Sequence, residues 1–157
     1  MKILALDPAT HCGYAINYPK LVSGTWDLKP KRLEGPGMRY LRFRQLLHSL
    51  INEKNPEMVV FEEVRRHMGT AAAHVYGGLV AQLMALCEEM SILYTSVPVG
   101  TWKKVVLGKG NAKKPVILEY ARKHLNPKCK TEDEADALCI LEWAERTYNA
   151  SDENYLR

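Results

Sequence analysis

Two apolar runs of strand length end in acid: "KILALD", closing on Asp7, and "EMVVFEEV", closing on Glu62 and Glu63. Such runs belong in the middle of a sheet covered on both faces, because only there are both alternating sets of side chains buried. "GYAIN" and, more weakly, "LVSGTWDL" follow the first run after short links that suit an antiparallel meander, and "ILYTSV" reads as a fifth strand. Helical patterns fill the remainder. Met38, Leu41, Leu46, Leu47, Leu50 and Ile51 share one face of a helix closed by Asn55-Pro56, and a helix rich in small residues runs from about Thr70 to Met90. Pro98 opens a short helix through Val106, and Pro115 sits in the first turn of another reaching about His124. Three antiparallel strands followed by helix, strand, helix, strand and further helices predict an α/β fold. Its five-stranded mixed sheet has the order 3-2-1-4-5, helices on both faces, and strands 1 and 4 side by side at the centre. At 157 residues the chain is long enough for one domain and short for two, here residues 1–148 followed by a polar, frayed tail at 149–157.

That topology sends the acids to one place. Asp7 and a glutamate of "FEEV" leave the same edge of parallel neighbours, where ligands of open α/β sheets bind. Side chains alternate along a strand, so only one of the two glutamates joins Asp7; Glu62 is the choice, with Glu63 the alternative. The last helix begins "TEDEADALCILEWA". Thr131 and Glu134 fit a capping box, and first-turn acids meet the positive end of the helix dipole, which accounts for Glu132 and Glu134. Asp133 and Asp136 instead head the apolar stripe of Ala137, Ile140, Leu141 and Ala144, where two carboxylates repel and lose solvation. They need a cation or must take up protons, and a paired Arg or Lys would serve as well as a metal ion. Four carboxylates from three segments suit hard ions such as Mg²⁺, with Mn²⁺ a substitute. Two such ions support in-line hydrolysis of a phosphodiester.

The charge pattern fits a polyanion. Residues 101–130 carry nine Lys and Arg against the single acid Glu119, so this band holds +8 of a chain whose net charge is +4. Cys12, Cys87, Cys129 and Cys139 are scattered without a Cys-x-x-Cys pair and read as buried thiols of a reducing compartment. The five histidines show no zinc-ligand spacing. No run approaches the roughly 18 apolar residues of a membrane span. "MKILALD" lacks the features of a signal peptide, so a cytoplasmic location is expected.

The residues named so far resemble RuvC-type Holliday junction resolvases, of the ribonuclease H-like nuclease superfamily. "ILALDPATHCGYAI" is similar to the first motif with its catalytic Asp, here Asp7, and "VVFEEV" to the second, whose Glu falls on Glu62. "DEADALCI" is similar to the closing motif, whose metal-binding acids fall on Asp133 and Asp136. Family lysines fall on Lys103 in "TWKKVVLGKG" and Lys114 in "GNAKKPV". The resemblance implies a ribonuclease H-like fold and a homodimer that makes paired cuts in a four-way DNA junction using Mg²⁺. The small-residue helix after Glu62 would serve for dimer packing, although packing within one subunit explains it equally. In the resulting mechanism Lys114 acts near the scissile phosphate or leaving oxygen, and Lys103, Lys104, Lys109 and Lys113 grip the DNA backbone.

This chain departs from the family at two points. Asp7-Pro8-Ala9 replaces the common Asp-Pro-Gly, and "EEVRRHMG" places Arg65 where bacterial relatives carry a junction-wedging aromatic. Arg65 and Arg66 would stack on bases or grip phosphates. A less selective fork or flap nuclease, an RNA-directed nuclease of the same fold, and a junction-binding protein without cleavage stay open as alternatives. A nucleotide-binding kinase or ATPase needs two such domains around its ligand, so no nucleotide cofactor is expected.

Overall fold

The computed structural model describes residues 1–67 and 69–155, with side chains up to Asn149. The elements run β1 (Ile3–Asp7), β2 (His11–Ile16), β3 (Val22–Asp27), α1 (Met38–Lys54), β4 (Met58–Glu63), α2 (Thr70–Glu89), β5 (Leu93–Pro98), α3 (Val99–Leu107), α4 (Lys114–Tyr120) and α5 (Glu132–Tyr155). One sheet of order β3-β2-β1-β4-β5 results, with β1 antiparallel to β2 and parallel to β4. This is the arrangement that the strand-length runs predict, with helices on both faces.

Strand parity sorts the core into two layers. Ile3 and Ala5 of β1 and Val60 of β4 pack with Trp102 of α3, Ile117 of α4, and Leu138 and Ile140 of α5. Leu4, Leu6, Val59 and Phe61 face the other way, onto Phe43 and Leu47 of α1 and Leu79 and Leu83 of α2. Within α1 the buried residues are Phe43, Leu47 and Ile51. Leu41, read above as part of the buried stripe, is 46% exposed; Phe43 supplies the larger apolar surface on the inward side.

Two further elements bear on the sequence reading. α2 is long and apolar enough, by length and composition, to cross a membrane, with a mean hydropathy of 1.3 over its most apolar window. Here one face is core: Leu79, Val80, Leu83, Leu86 and Cys87 are buried, and Gly78 lies against the Tyr40 ring of α1. The helix carries only two charged residues, Glu88 and Glu89, both in its last turn, which explains the high hydropathy. At the C-terminus, α5 continues past Tyr148 to Tyr155. Leu156 and Arg157, the last two residues of the expected tail, lie outside the described residues.

Candidate active site

The same parity that builds the core places the acids. Asp7 follows Ala5 onto the α5 side of the sheet, and Glu62 follows Val60 onto that side. β1 and β4 pair through Leu6 and Phe61, so Asp7 and Glu62 lie one step further along adjacent strands. Glu63 points to the opposite face, where its carboxylate takes the Arg65 Nε at 3.1 Å. Of the two glutamates, Glu62 is therefore the one beside Asp7. Asp7 and Glu62 are both 8% exposed and Asp136 is 3% exposed; Asp133 is half-buried.

α5 reaches the sheet because β2 has no side chain in its way. Gly13 is the β2 partner of Asp7. A Cβ built on Gly13 would stand 1.9 Å from the Asp133 carbonyl oxygen. Gly13→Ala must push the first turn of α5 off the sheet, at a cost of about 1–3 kcal/mol by analogy with overpacked cores. Urea unfolding should show that loss. α5 itself starts as its sequence predicts, with Thr131 Oγ1 accepting the Glu134 N–H at 3.0 Å. The reciprocal half differs: Glu134 accepts from the Lys130 N–H at 2.9 Å and from the Ser23 hydroxyl at 2.7 Å. Glu134 is thereby a buried structural residue, which leaves Asp133 and Asp136 facing the acids of the sheet.

The electrostatics reflect crowding. Burial lifts the Asp7 carboxyl well above the usual range; repulsion from Glu62, Asp136 and Asp133 adds to this, and Lys114 opposes it. Glu62 is pushed up to about 7 by burial and by Asp136, against the pull of the Trp102 hydrogen bond and of Lys114 and Lys103. Asp136 is also raised by burial, even though Lys114 pulls it down. The Lys114 ammonium contacts Asp136 Oδ2, and Asp136 Oδ1 is buried without a hydrogen-bond partner among the described residues. Lys114 is itself raised: burial works against its charge, but Asp136, Asp7 and Glu62 outweigh it.

A lysine neutralises part of the cluster, as the paired-cation reading required, and one carboxylate oxygen remains open. Among the described residues no group of three or more His, Cys, Asp or Glu is closed to the spacing of a metal centre.

Two positioning residues were not found by sequence reasoning. Trp102 is fully buried, as a packing role demands, but its indole N–H also donates to Glu62 Oε2 at 3.0 Å. The Tyr76 hydroxyl donates to the Glu62 carbonyl at 2.8 Å and accepts from the Val64 N–H at 3.3 Å, clamping the chain where β4 ends. An aromatic ring at each position was visible in the sequence; its polar partner, distant along the chain, was not. Trp102→Phe should cost about 1–3 kcal/mol by leaving a buried carboxylate oxygen unpaired. It also removes an interaction favouring ionised Glu62, so carboxylate titration followed by NMR should place Glu62 at higher pH than in the unaltered protein.

The basic residues divide by position. Lys103 is half-buried, with its Nζ 5.6 Å from the Trp102 ring centroid, close enough to act on Glu62 and Asp136. Lys104, Lys109 and Lys113 are exposed along α3 and the turn into α4; Gly108, at φ 77°, ends α3 in the left-handed conformation that favours glycine. Arg65 and Arg66 are exposed beyond β4, Arg65 tied back to Glu63. Arg122, counted in the basic band, is held by the Cys129 carbonyl at 2.9 Å. Tyr120 is half-buried, and its hydroxyl accepts from Arg146 at 3.3 Å. All four cysteines are buried and free.

No family model and no curated protein matches the sequence. Solved structures do match. Thermus thermophilus RuvC in complex with a Holliday junction substrate aligns at TM-score 0.78 and 21% identity, covering 95% of this chain and 94% of that one. The chain has the RuvC fold. A second Thermus thermophilus RuvC structure gives 0.75 at 21% identity, over 94% of this chain and 96% of that one. The yeast mitochondrial Holliday junction resolvase gives 0.57 at 16% identity, over 98% and 85%. The strand order and the helical layers are thus those of RuvC, over nearly the whole length of both chains.

Proposed function

We propose that this chain is a Mg²⁺-dependent endonuclease that resolves four-way DNA junctions by paired nicks, acting as a homodimer. The observation that carries the reading is the meeting of Asp7, Glu62 and Asp136 at one edge of a RuvC-type sheet, all three with raised pKa values. Carboxylates are hard oxygen donors, and a buried, unpartnered Asp136 oxygen amid like charges is suited to a divalent cation. Asp7, Glu62, Asp133 and Asp136 would hold Mg²⁺. Bound there, two ions would acidify an attacking water and stabilise charge on the leaving oxygen of the phosphodiester.

The chain's own groups do the rest. Trp102 fixes one Glu62 oxygen, and Tyr76 fixes the backbone on which Glu62 sits. Lys114 offsets the charge of Asp136, and its half-exposed ammonium can turn to the scissile phosphate or the leaving oxygen. Lys103, Lys104, Lys109 and Lys113 hold the DNA backbone, and Arg65 and Arg66 reach the junction from the far side of β4. For the dimer, Gly77 and Ala81 are exposed on α2, and among the described residues nothing lies within 4 Å of a Cβ built on Gly77.

The test is a cleavage assay on a mobile four-way junction, a fork, a flap, plain duplex and an RNA hairpin, each with and without Mg²⁺. Paired nicks on the junction alone, dependent on the metal, are expected. Equal cutting of the fork, the flap and duplex would replace this reading with a less selective nuclease. Preference for the hairpin would replace it with an RNA-directed one. Metal-independent binding with no cutting would leave a junction-binding protein.

A further inference from the structure

Beside Asp7 the surface opens into a cavity of about 530 Å³, within the ~300–1,000 Å³ range of ligand pockets. Asp7 and the Pro8–Thr10 turn line it, with Val64, His67 and the Ala72–Tyr76 face of α2; Arg39, from the first turn of α1, completes it. The walls contributed by Pro8, Ala9, Val64, Ala72 and Val75 are apolar. Arg39 is the cation among them, and its Nε is buried without a hydrogen-bond partner among the described residues. Its neighbours on α1 are satisfied: Arg42 grips both Glu34 oxygens, at 2.7 and 2.9 Å, and Arg44 pairs with Glu89. No acid takes Arg39 within ion-pair distance among the described residues.

A buried guanidinium N–H without an acceptor is costly, and a ligand that supplies one explains its retention. The planar fork matches the oxygens of a phosphate, while the apolar walls suit a sugar and base rather than a free ion. Position gives the register, because the cavity begins at Asp7. Arg39 also stands in the layer of α1 and α2, across the sheet from the Lys103 to Lys114 band.

We propose that Arg39 anchors the phosphate of a DNA nucleotide adjacent to the scissile one, with its sugar and base lodged in this cavity. The assignment rests on the endonuclease reading above. It would give the strand a grip from both layers, with the acids between them.

The test is junction binding in EDTA, followed by fluorescence anisotropy over a series of salt concentrations, with thermal melts to establish folding. Arg39→Gln should bind roughly tenfold more weakly and lower the slope of log K against log salt by about 1, as loss of one phosphate contact does. Arg39→Lys should keep the slope and lose part of the affinity, because it keeps the charge without the fork. Ala72→Leu, which fills the cavity without altering charge, should weaken binding at an unchanged slope. Wild-type affinity and slope in Arg39→Gln would overturn the proposal, and an unaffected Ala72→Leu would remove the nucleotide from the cavity. Wild-type protein that binds no junction would overturn the endonuclease reading along with the subsite, whereas wild-type binding that Arg39→Gln leaves intact overturns the subsite alone.

Discussion

Asp7→Asn should lower junction cleavage by roughly 10³-fold or more, since loss of metal-centred charge stabilisation is worth several kcal/mol at 1.36 kcal/mol per decade. The same substitution should raise the melting temperature of the metal-free protein. Asp7 is buried with Glu62 and Asp136 as neighbours, and its charged form is disfavoured in the fold by desolvation first and by their repulsion second. An amide of the same shape removes one negative charge and gives the remaining carboxylates an N–H to accept. Activity and stability therefore move in opposite directions, as they do where a site keeps strained charge for its chemistry. A residue that merely supported the fold would lose both together. Melting scans and single-turnover cleavage on one preparation separate the cases, and a variant both less stable and less active would refute the charge-crowding account.

The second large effect is a coupling of pH, Mg²⁺ and stability. Asp7, Glu62 and Asp136 all have folded pKa values above their ordinary ones, Glu62 at about 7. Over the window from about pH 4 to about 7, the unfolded chain has released protons that the folded chain still binds. Stability of the metal-free protein should therefore fall as pH rises through that window, by an amount on the order of a few kcal/mol. Lys114, also raised, contributes in the opposite sense only where lysines titrate, far to the alkaline side. On the proposed metal-dependent reading Mg²⁺ should reverse the loss, because it would bind the ionised carboxylates of the folded state. At about a hundred times its dissociation constant, that binding raises the melting temperature by roughly 5–10 °C at neutral pH. Near pH 4.5 the gain should vanish, as protons occupy the same oxygens. Calorimetry across pH with and without Mg²⁺ reads both trends, and metal-free stability that climbs from pH 4 to 7 would contradict them.

Much of this architecture was legible because it depends on local periodicity. The two-residue repeat of β4 decides that Glu62, and not Glu63, shares a face with Asp7. Similarly, the helical repeat of α5 sets Asp133 and Asp136 at the head of a buried stripe, and short links between the first strands fix β3-β2-β1. What stayed hidden depends on contacts between distant segments. Trp102 meets Glu62 across forty positions, and Lys114 meets Asp136 across twenty-two. Gly13 matters because a helix more than a hundred residues later crosses it, and nothing near Gly13 announces that approach. Arg39 carries no mark in the sequence that sets it apart from Arg42 and Arg44 on the same helix; only the fold shows that its Nε is buried in the cavity that begins at Asp7. Leu41 was misplaced for the opposite reason, since α1 turns its aromatic Phe43 inward and leaves that leucine in solvent.

The central claim is that Asp7, Glu62, Asp133 and Asp136 form one divalent-cation pocket in which Lys114 stands as a provisional counter-charge. Anomalous diffraction from crystals soaked in Mn²⁺ tests it most directly. The account predicts manganese peaks among these four carboxylates, with the Lys114 ammonium withdrawn from Asp136. Crystals with manganese bound elsewhere, or with none at this edge of the sheet and Lys114 still on Asp136, would contradict it.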